Sequence, residues 1–309
     1  MIRTAGPADA PVLCGLIHQA FTARPVVDPP AEALGDTVED VAAGLAAPDW
    51  GLLATVDGDP AGCLLVHHLA NGDPRPTALL RRVSVAPPFR HHGLAAQLVR
   101  HAARRAADEG VRRLLVMARE ELPDVLRWWV RHGFTMDHAV PHGYILGLDL
   151  APPVPVPTAE AMLDLGRTLA ARCRAGDLVV ASGELGAGKT TLAQGIAAGL
   201  GVERPVLSPT FVLSRVHPSR TGGPAFVHAD AYRLGSAAEV DDLDLDASTD
   251  GAVTYVEWGA GLVEQLADSR LDVTIVRSDD PENATRTVYL VGVGPRWAGV
   301  DLGTEDRTR

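Results

Sequence analysis

Residues 183–191 read GELGAGKTT and fit the pattern G-x-x-x-x-G-K-[ST], with Gly183, Gly188, Lys189 and Thr190 at its fixed places. Glycines at this spacing let consecutive backbone N–H groups turn inward around a phosphate, and a following helix adds its positive end. Lys189 then reaches the β- and γ-phosphates of a nucleotide, and the Thr190 hydroxyl holds Mg²⁺. Lys189 is the only lysine among 28 Lys and Arg residues. Arginine serves every other cationic position. Here a compact ammonium fits between phosphates where a planar guanidinium does not.

The elements that must position this loop are legible on both sides. Leu178 to Ala181 is an apolar run that predicts a buried strand, and Leu192 to Leu200 carries a helical pattern. Upstream, Thr158 predicts the cap of a helix over 159–173, with Glu160 in its first turn; Ala161 stands where a full capping box wants Glu or Gln. Downstream come Ser208-Pro209-Thr210-Phe211, then His228-Ala229-Asp230-Ala231-Tyr232-Arg233-Leu234 after the short strand Ala225 to Val227, then Val256-Glu257-Trp258 at a strand end. Nucleotide hydrolysis needs a carboxylate at a strand end to hold Mg²⁺ or orient water, and often a mobile hydroxyl beside the γ-phosphate. Glu257, Asp230 and Thr210 are of those types.

This set resembles the TsaE family, ATPase subunits of the bacterial machinery that makes threonylcarbamoyladenosine in tRNA. The family pattern is G-[DE]-L-G-A-G-K-T-T, S-P-T-[FY], H-x-D-x-Y-R-L and V-E-W, and all four occur here in order. The resemblance covers residues 158 to about 295, including a last strand over 286–293. It implies that Gly183, Glu184, Leu185, Gly186, Ala187, Gly188, Lys189, Thr190 and Thr191 bind ATP, with Trp258 beside the nucleotide. It implies Thr190 and Glu257 at Mg²⁺, Thr210 as a switch near the γ-phosphate, and Asp230 as an essential acid of the hydrolytic site. It further implies action with TsaD-like and TsaB-like proteins, tRNA being reached through that complex. The family has proline after the tryptophan; here Gly259 leaves the turn less restrained. Tyr232, Leu234 and Phe211 read as packing residues, and the acidic run 239–246 as a solvated face. A small-molecule kinase built on the same loop is the alternative.

Residues 1–150 alternate strands and helices, as expected for a separate α/β domain. A helix is predicted over 8–21 and a second from near Asp36 or Thr37 to before Pro48. Gly51 to Val56 and Ala61 to Leu69 read as a hairpin joined through Asp57-Gly58. A strand over 79–85 is broken by Pro87-Pro88, and Arg90-His91-His92-Gly93-Leu94-Ala95 leads into a helix to about Glu109. A strand over 113–118, a helix over 123–131 and a strand over 144–150 follow. Arg90, Gly93 and Ala95 match [QR]-x-x-G-x-[GA], and the order resembles the GNAT acetyltransferases. The resemblance implies a mixed α+β fold that binds acetyl-CoA through the backbone of this turn, with Val85, Arg90, His91, His92, Gly93, Leu94 and Ala95 around it. Two departures stand out. Trp129 occupies the position, four residues before Gly133-Phe134, where many members have a tyrosine acid. The strand before the turn offers Arg81, Arg82 and Ser84 rather than a glutamate base. His67, His68, Glu120, Glu121, His138 and His142 are the candidate bases. A non-catalytic binding module is the other reading of this half.

The expected organisation is thus a GNAT-like domain over 1–150, a proline-rich linker over 151–157 (APPVPVP, a polyproline spacer) and a P-loop α/β domain over 158–309. Net charge is −11, with 14 basic and 17 acidic residues in 1–150 and 14 and 22 in the remainder. That balance argues against direct DNA or RNA binding. No apolar run reaches the length of a membrane span, and no signal peptide is read at the N-terminus. Three scattered cysteines without C-x-x-C point to a reducing compartment and a cytoplasmic location.

Overall fold

The computed structural model describes residues 1–69, 75–90, 92–202, 206–209, 214–232, 251–263, 266–278, 280 and 282–302. The chain divides into two compact units, Met1–Leu150 and Ala151–Arg309. No described helix is long and apolar enough to cross a membrane.

The first unit is a seven-stranded sheet in the order β1-β2-β3-β4-β5-β7-β6. Its elements are β1 (Ile2–Ala5), α1 (Ala10–Thr22), α2 (Val38–Ala43), β2 (Trp50–Val56), β3 (Asp59–Leu69), β4 (Thr77–Val85), α3 (Leu94–Asp108), β5 (Arg113–Arg119), α4 (Pro123–Arg131), β6 (Thr135–Val140) and β7 (Gly143–Asp149). Leu13, Leu16, Ile17 and Ala20 give α1 one buried stripe, which packs on Leu53, Cys63 and Leu65. The residue just before Cys63 on β3, Gly62, meets Leu98 of α3 on the opposite face. Thr37 caps α2 in a reciprocal box with Asp40, at 3.1 and 2.9 Å. Asp57 and Gly58 both take positive φ (51° and 91°), so the two-residue hairpin turns as its sequence requires.

Two irregularities shape the C-terminal end of β4. Its parallel pairing with β5 runs from Thr77↔Arg113 to Leu80↔Val116 and stops, although both strands continue. Toward β3, the register shifts between Cys63↔Ser84 and Leu65↔Arg81, which puts one extra residue on β4. Arg82 sits in that bulge at φ 54°, a left-handed conformation that costs a non-glycine residue about 1 kcal/mol or more.

The second unit holds β8 (Val154–Val156), α5 (Ala159–Ala170), β9 (Leu178–Ser182), α6 (Lys189–Gly199), β10 (Ser214–His217), β11 (Ala225–Asp230), β12 (Ala252–Glu257), β13 (Arg270–Arg277) and β14 (Arg286–Val293). The sheet order is β10-β11-β12-β9-β13-β14-β8. β11, β12, β9 and β13 are parallel neighbours, and the flanking pairs are antiparallel. α5 and α6 cover one face, burying Leu169, Leu192 and Ile196 with Phe226, Tyr255 and Val273. They meet backbone to backbone: a Cβ on Gly195 would lie 2.3 Å from the Leu163 carbonyl oxygen and 2.9 Å from Gly166 Cα.

The proline-rich stretch is not a free spacer. Val154 and Val156 are buried and pair with Val288 and Arg286 as the edge strand β8. Pro155 stays exposed between them. A proline is tolerated there because an edge strand leaves half its N–H groups without a ladder partner. The Val-Pro-Val alternation therefore overrides the polyproline tendency.

Candidate functional site

In the second unit β9 runs into the loop 183–188, and α6 begins at Lys189. Gly183, Gly186 and Gly188 have φ of 151°, 75° and 111°, values that a side chain would strain. Glu184, Leu185 and Gly186 are exposed at the crest, and Ala187 is buried beneath it. Thr191 is half-buried on the first turn of α6. The three parallel strand ends lie in register, Asp230 beside Glu257 and Glu257 beside Ala181. This places two carboxylates at the carboxyl ends of the strands, next to the loop.

The side chains converge. Thr190 Oγ1 donates to Glu257 Oε1 at 2.8 Å, and both Glu257 and Asp230 are 3% exposed. Ser208 Oγ donates to Asp230 Oδ2 at 3.3 Å, and the Tyr232 N–H to its Oδ1 at 2.9 Å. Lys189 Nζ donates to the Gly183 and Glu184 carbonyls at 2.8 and 3.0 Å and lies 3.8 Å from the centre of the Trp258 ring. Burial lowers the Lys189 pKa, against the opposing pull of Glu257 and Asp230. Tyr255 is fully buried, donates to the Lys189 carbonyl at 2.8 Å, and has its pKa pushed up by burial and by Glu257. Trp258 holds φ 61° just beyond β12, and the Tyr232 ring stands 5.2 Å away.

A hydroxyl and a carboxylate in contact are hard oxygen donors suited to Mg²⁺ alongside phosphates. Among the described residues no group of three or more His, Cys, Asp or Glu side chains is placed to hold a metal ion. The glycine loop at a helix start likewise fits a phosphate chain. Two readings of the sequence change. Tyr232 is 63% exposed beside Trp258 rather than packed in a core. Gly259 is a close-packed position, since a Cβ there would lie 2.9 Å from both Val256 Cγ1 and Val263 Cγ2. Thr210, Phe211, Leu234 and the run 239–246 lie outside the described residues.

In the first unit the turn after β4 delivers Gly93 (φ 68°) to the start of α3. Leu94 is buried and Ala95 half-buried on its first turn, His92 is exposed, and His91 lies outside the described residues. Arg90 is turned away from the helix start. Its guanidinium donates to the Ala20 carbonyl at 3.0 Å, and at 3.5 Å to the carbonyls of Ala23 and of half-buried Val85. It therefore ties α1 to the turn, and any phosphate contact there falls to backbone N–H groups. Arg24 donates to the Val83 carbonyl at 2.9 Å, and burial with neighbouring Arg90 holds its pKa down to about 10.

The candidate bases separate by place. His67 and His68 pair with Leu79 and Ala78, at the end of β4 remote from the turn, and face Asp49 and Glu109. From Leu79 to Val85 is about 20 Å of strand, too far for proton transfer. His138 is exposed on β6 against Asp137. Glu120, Glu121 and His142 stand at the correct end, just beyond β5. Glu121 is held by Arg119 at 2.6 Å, which lowers its pKa to about 2 and makes it a poor base. Trp129 is 4% exposed and packs edge-on to Phe134, 4.8 Å between ring centres. The sequence missed the carboxylates that do approach the bulge. Asp36 binds Arg82 at 2.6 and 2.9 Å, and exposed Glu32 lies 3.9 Å from it. No spacing signals them, because they arrive from the segment before α2.

Comparison with known proteins agrees with this division. The family model "Threonylcarbamoyl adenosine biosynthesis protein TsaE" matches residues 156–288, and that of the "Acetyltransferase (GNAT) family" matches residues 25–134. The tRNA threonylcarbamoyladenosine biosynthesis protein TsaE of Streptomyces coelicolor is 54% identical over 143 residues, 46% of this chain and 97% of that protein. Among solved structures, Bacillus subtilis YdiB is 32% identical over 47% of this chain and 88% of its own, with a TM-score of 0.39. A GNAT-family acetyltransferase from Streptococcus pneumoniae is 19% identical over 48% of this chain and 98% of its own, with a TM-score of 0.41. Through its second unit the chain belongs to the TsaE family, fused to a GNAT-family domain that forms its first.

Proposed function

We propose that the second unit binds and hydrolyses ATP in the biosynthesis of threonylcarbamoyladenosine in tRNA, acting with TsaB-like and TsaD-like proteins. The observation that carries this reading is the bond from Thr190 to Glu257, which joins the phosphate loop to the carboxylate of the neighbouring strand. Loop amides and Lys189 would hold the phosphates, Lys189 leaving the Gly183 and Glu184 carbonyls to do so. Thr190 and Glu257 would hold Mg²⁺, which supplies charge neutralisation for phosphoryl transfer. Asp230, with Thr210, would orient the attacking water, and Trp258 would border the nucleotide. A net charge of −11 suits an accessory ATPase better than a subunit that grips RNA. The test is a reconstituted modification reaction with cognate TsaB and TsaD. Lys189→Ala should stop ATP-dependent modification; sustained modification would overturn the reading. A phosphorylated small molecule formed without partners would favour a kinase instead.

The first unit, in the same reading, binds acetyl-CoA at the turn 90–95 and in the gap between β4 and β5. The parting of these strands after Leu80 and Val116 is the observation behind it. Amine acetylation is the expected reaction, with Glu120, His142 and Glu32 the groups placed to accept a proton. A fall in acetyl-CoA affinity when Gly93 is replaced supports this, and no binding by the wild type would leave an interaction module.

A further inference from the structure

His228 belongs to the second of the three downstream motifs and has no role so far. It is completely buried on β11, with Nε2 2.9 Å from Glu257 Oε1. That oxygen is the one that accepts the Thr190 hydroxyl at 2.8 Å. Nδ1 has no partner among the described residues. A buried N–H without an acceptor costs more than an unused lone pair, so the proton belongs on Nε2 and His228 is the donor. The ring is walled in. Phe226 lies 5.9 Å from it, and Tyr255 stands edge-on at 5.6 Å. Tyr255 is itself anchored by its hydroxyl to the Lys189 carbonyl at 2.8 Å.

A polar ring buried against a carboxylate is weak evidence for stability, since an apolar side chain of similar volume fills a core at no desolvation cost. Its placement fits a constraint on Glu257. Two donors from different elements, Thr190 on α6 and His228 on β11, converge on Oε1. They fix the carboxylate rotamer and leave Oε2 outside both bonds. We propose that His228 is a positioning residue that holds Glu257 in its working orientation, with Tyr255 bracing the ring against the first turn of α6. The inference rests on the second unit being an ATP-hydrolysing site.

The test uses the full-length protein with cognate TsaB and TsaD. It compares His228→Leu, which removes the donor, with His228→Gln, whose amide N–H reaches the position of Nε2, and His228→Asn, which is too short. Three quantities are read: kcat for ATP hydrolysis, the Mg²⁺ concentration for half-activity, and the Kd for ATP in the presence of EDTA. His228→Leu should lower kcat by about 10–100-fold and raise the Mg²⁺ requirement, the usual range for a group that orients a metal-site ligand. Its metal-free Kd should stay within about twofold, and His228→Gln should recover most of the kcat while His228→Asn does not. Should the leucine variant not fold, the Gln and Asn pair decides. Equal impairment of Gln and Asn, a wild-type Mg²⁺ profile in the leucine variant, or loss of metal-free binding along with kcat would each reduce His228 to a packing residue. A wild-type protein without Mg·ATP hydrolysis would instead sink the nucleotide reading itself, and this inference with it.

Discussion

The two units place the start of a helix beside the end of a strand, but what surrounds it differs. Around Gly188 and Lys189 the working groups come from strand ends held in register. Glu257 and Asp230 are 3% exposed and already hydrogen-bonded. Around Gly93 the backbone turns at φ 68° into the start of α3, and the polar side chains are engaged in holding the turn. Arg90 binds the end of α1, Arg82 binds Asp36, and Arg119 binds Glu121. A glycine of positive φ at the start of a helix is thus common to both, while buried, hydrogen-bonded carboxylates at the strand ends belong to the second. Electrostatic preorganisation is where most catalytic power resides. On the proposed function the contrast therefore separates a preassembled hydrolytic site from a binding site whose chemistry would rest on groups brought in by the acceptor or by Glu120, His142 and Glu32.

The sharpest way to break the contrast is Glu257→Gln. It should cut ATP hydrolysis by about 10²–10³-fold, the range for removing one preorganised charged group, and leave acetyl-CoA affinity unchanged in calorimetry. Next comes Asp177→Ala. Arg296 binds Asp177 through two bonds of 2.9 and 2.8 Å, and the Asp177 side chain is 3% exposed. Removing one partner strands a buried charge, so unfolding of the second unit should shift by about 3–5 kcal/mol in denaturant while that of the first stays in place. Third, Gly93→Val should weaken acetyl-CoA binding about tenfold, since a β-branched residue resists φ 68° and disturbs the turn amides. An unchanged heat of binding would remove the turn from the site. The smallest effect concerns acid. Arg3 and the Gly6 N–H hold the Asp9 pKa down to about 2 from 3.8. A depressed carboxylate stabilises fully above its unfolded pKa and loses that contribution as pH falls through its folded one. Asp9→Asn should therefore flatten the acid limb of first-unit stability between about pH 4 and 2, and an unaltered limb would mean the pair contributes nothing.

Much of this was legible in the sequence because it is local. α4 lies where its pattern placed it, and the Thr37 cap, the Asp57-Gly58 turn and the P-loop context depend only on neighbours along the chain. β13 also carries a local alternation, with Leu271, Val273 and Ile275 on its buried face. β6 carried none, as its residues are almost all exposed. What sequence could not show depends on register. The bulge at Arg82 exists only through its pairing with β3, and Asp36 and Glu32 reach it from a segment more than forty residues earlier. The remoteness of His67 and His68 from the turn is likewise a fact of strand direction. His228 was in plain view within a recognised motif, but its purpose needed the parallel pairing of β11 with β12.

The most direct measurement is the rate of Mg·ATP hydrolysis by the full-length chain with cognate TsaB and TsaD, wild type against Lys189→Ala. The structure predicts a loss of at least about 10²-fold. An unchanged rate would mean that hydrolysis proceeds elsewhere, and that the convergence of Lys189, Thr190 and Glu257 is not the site.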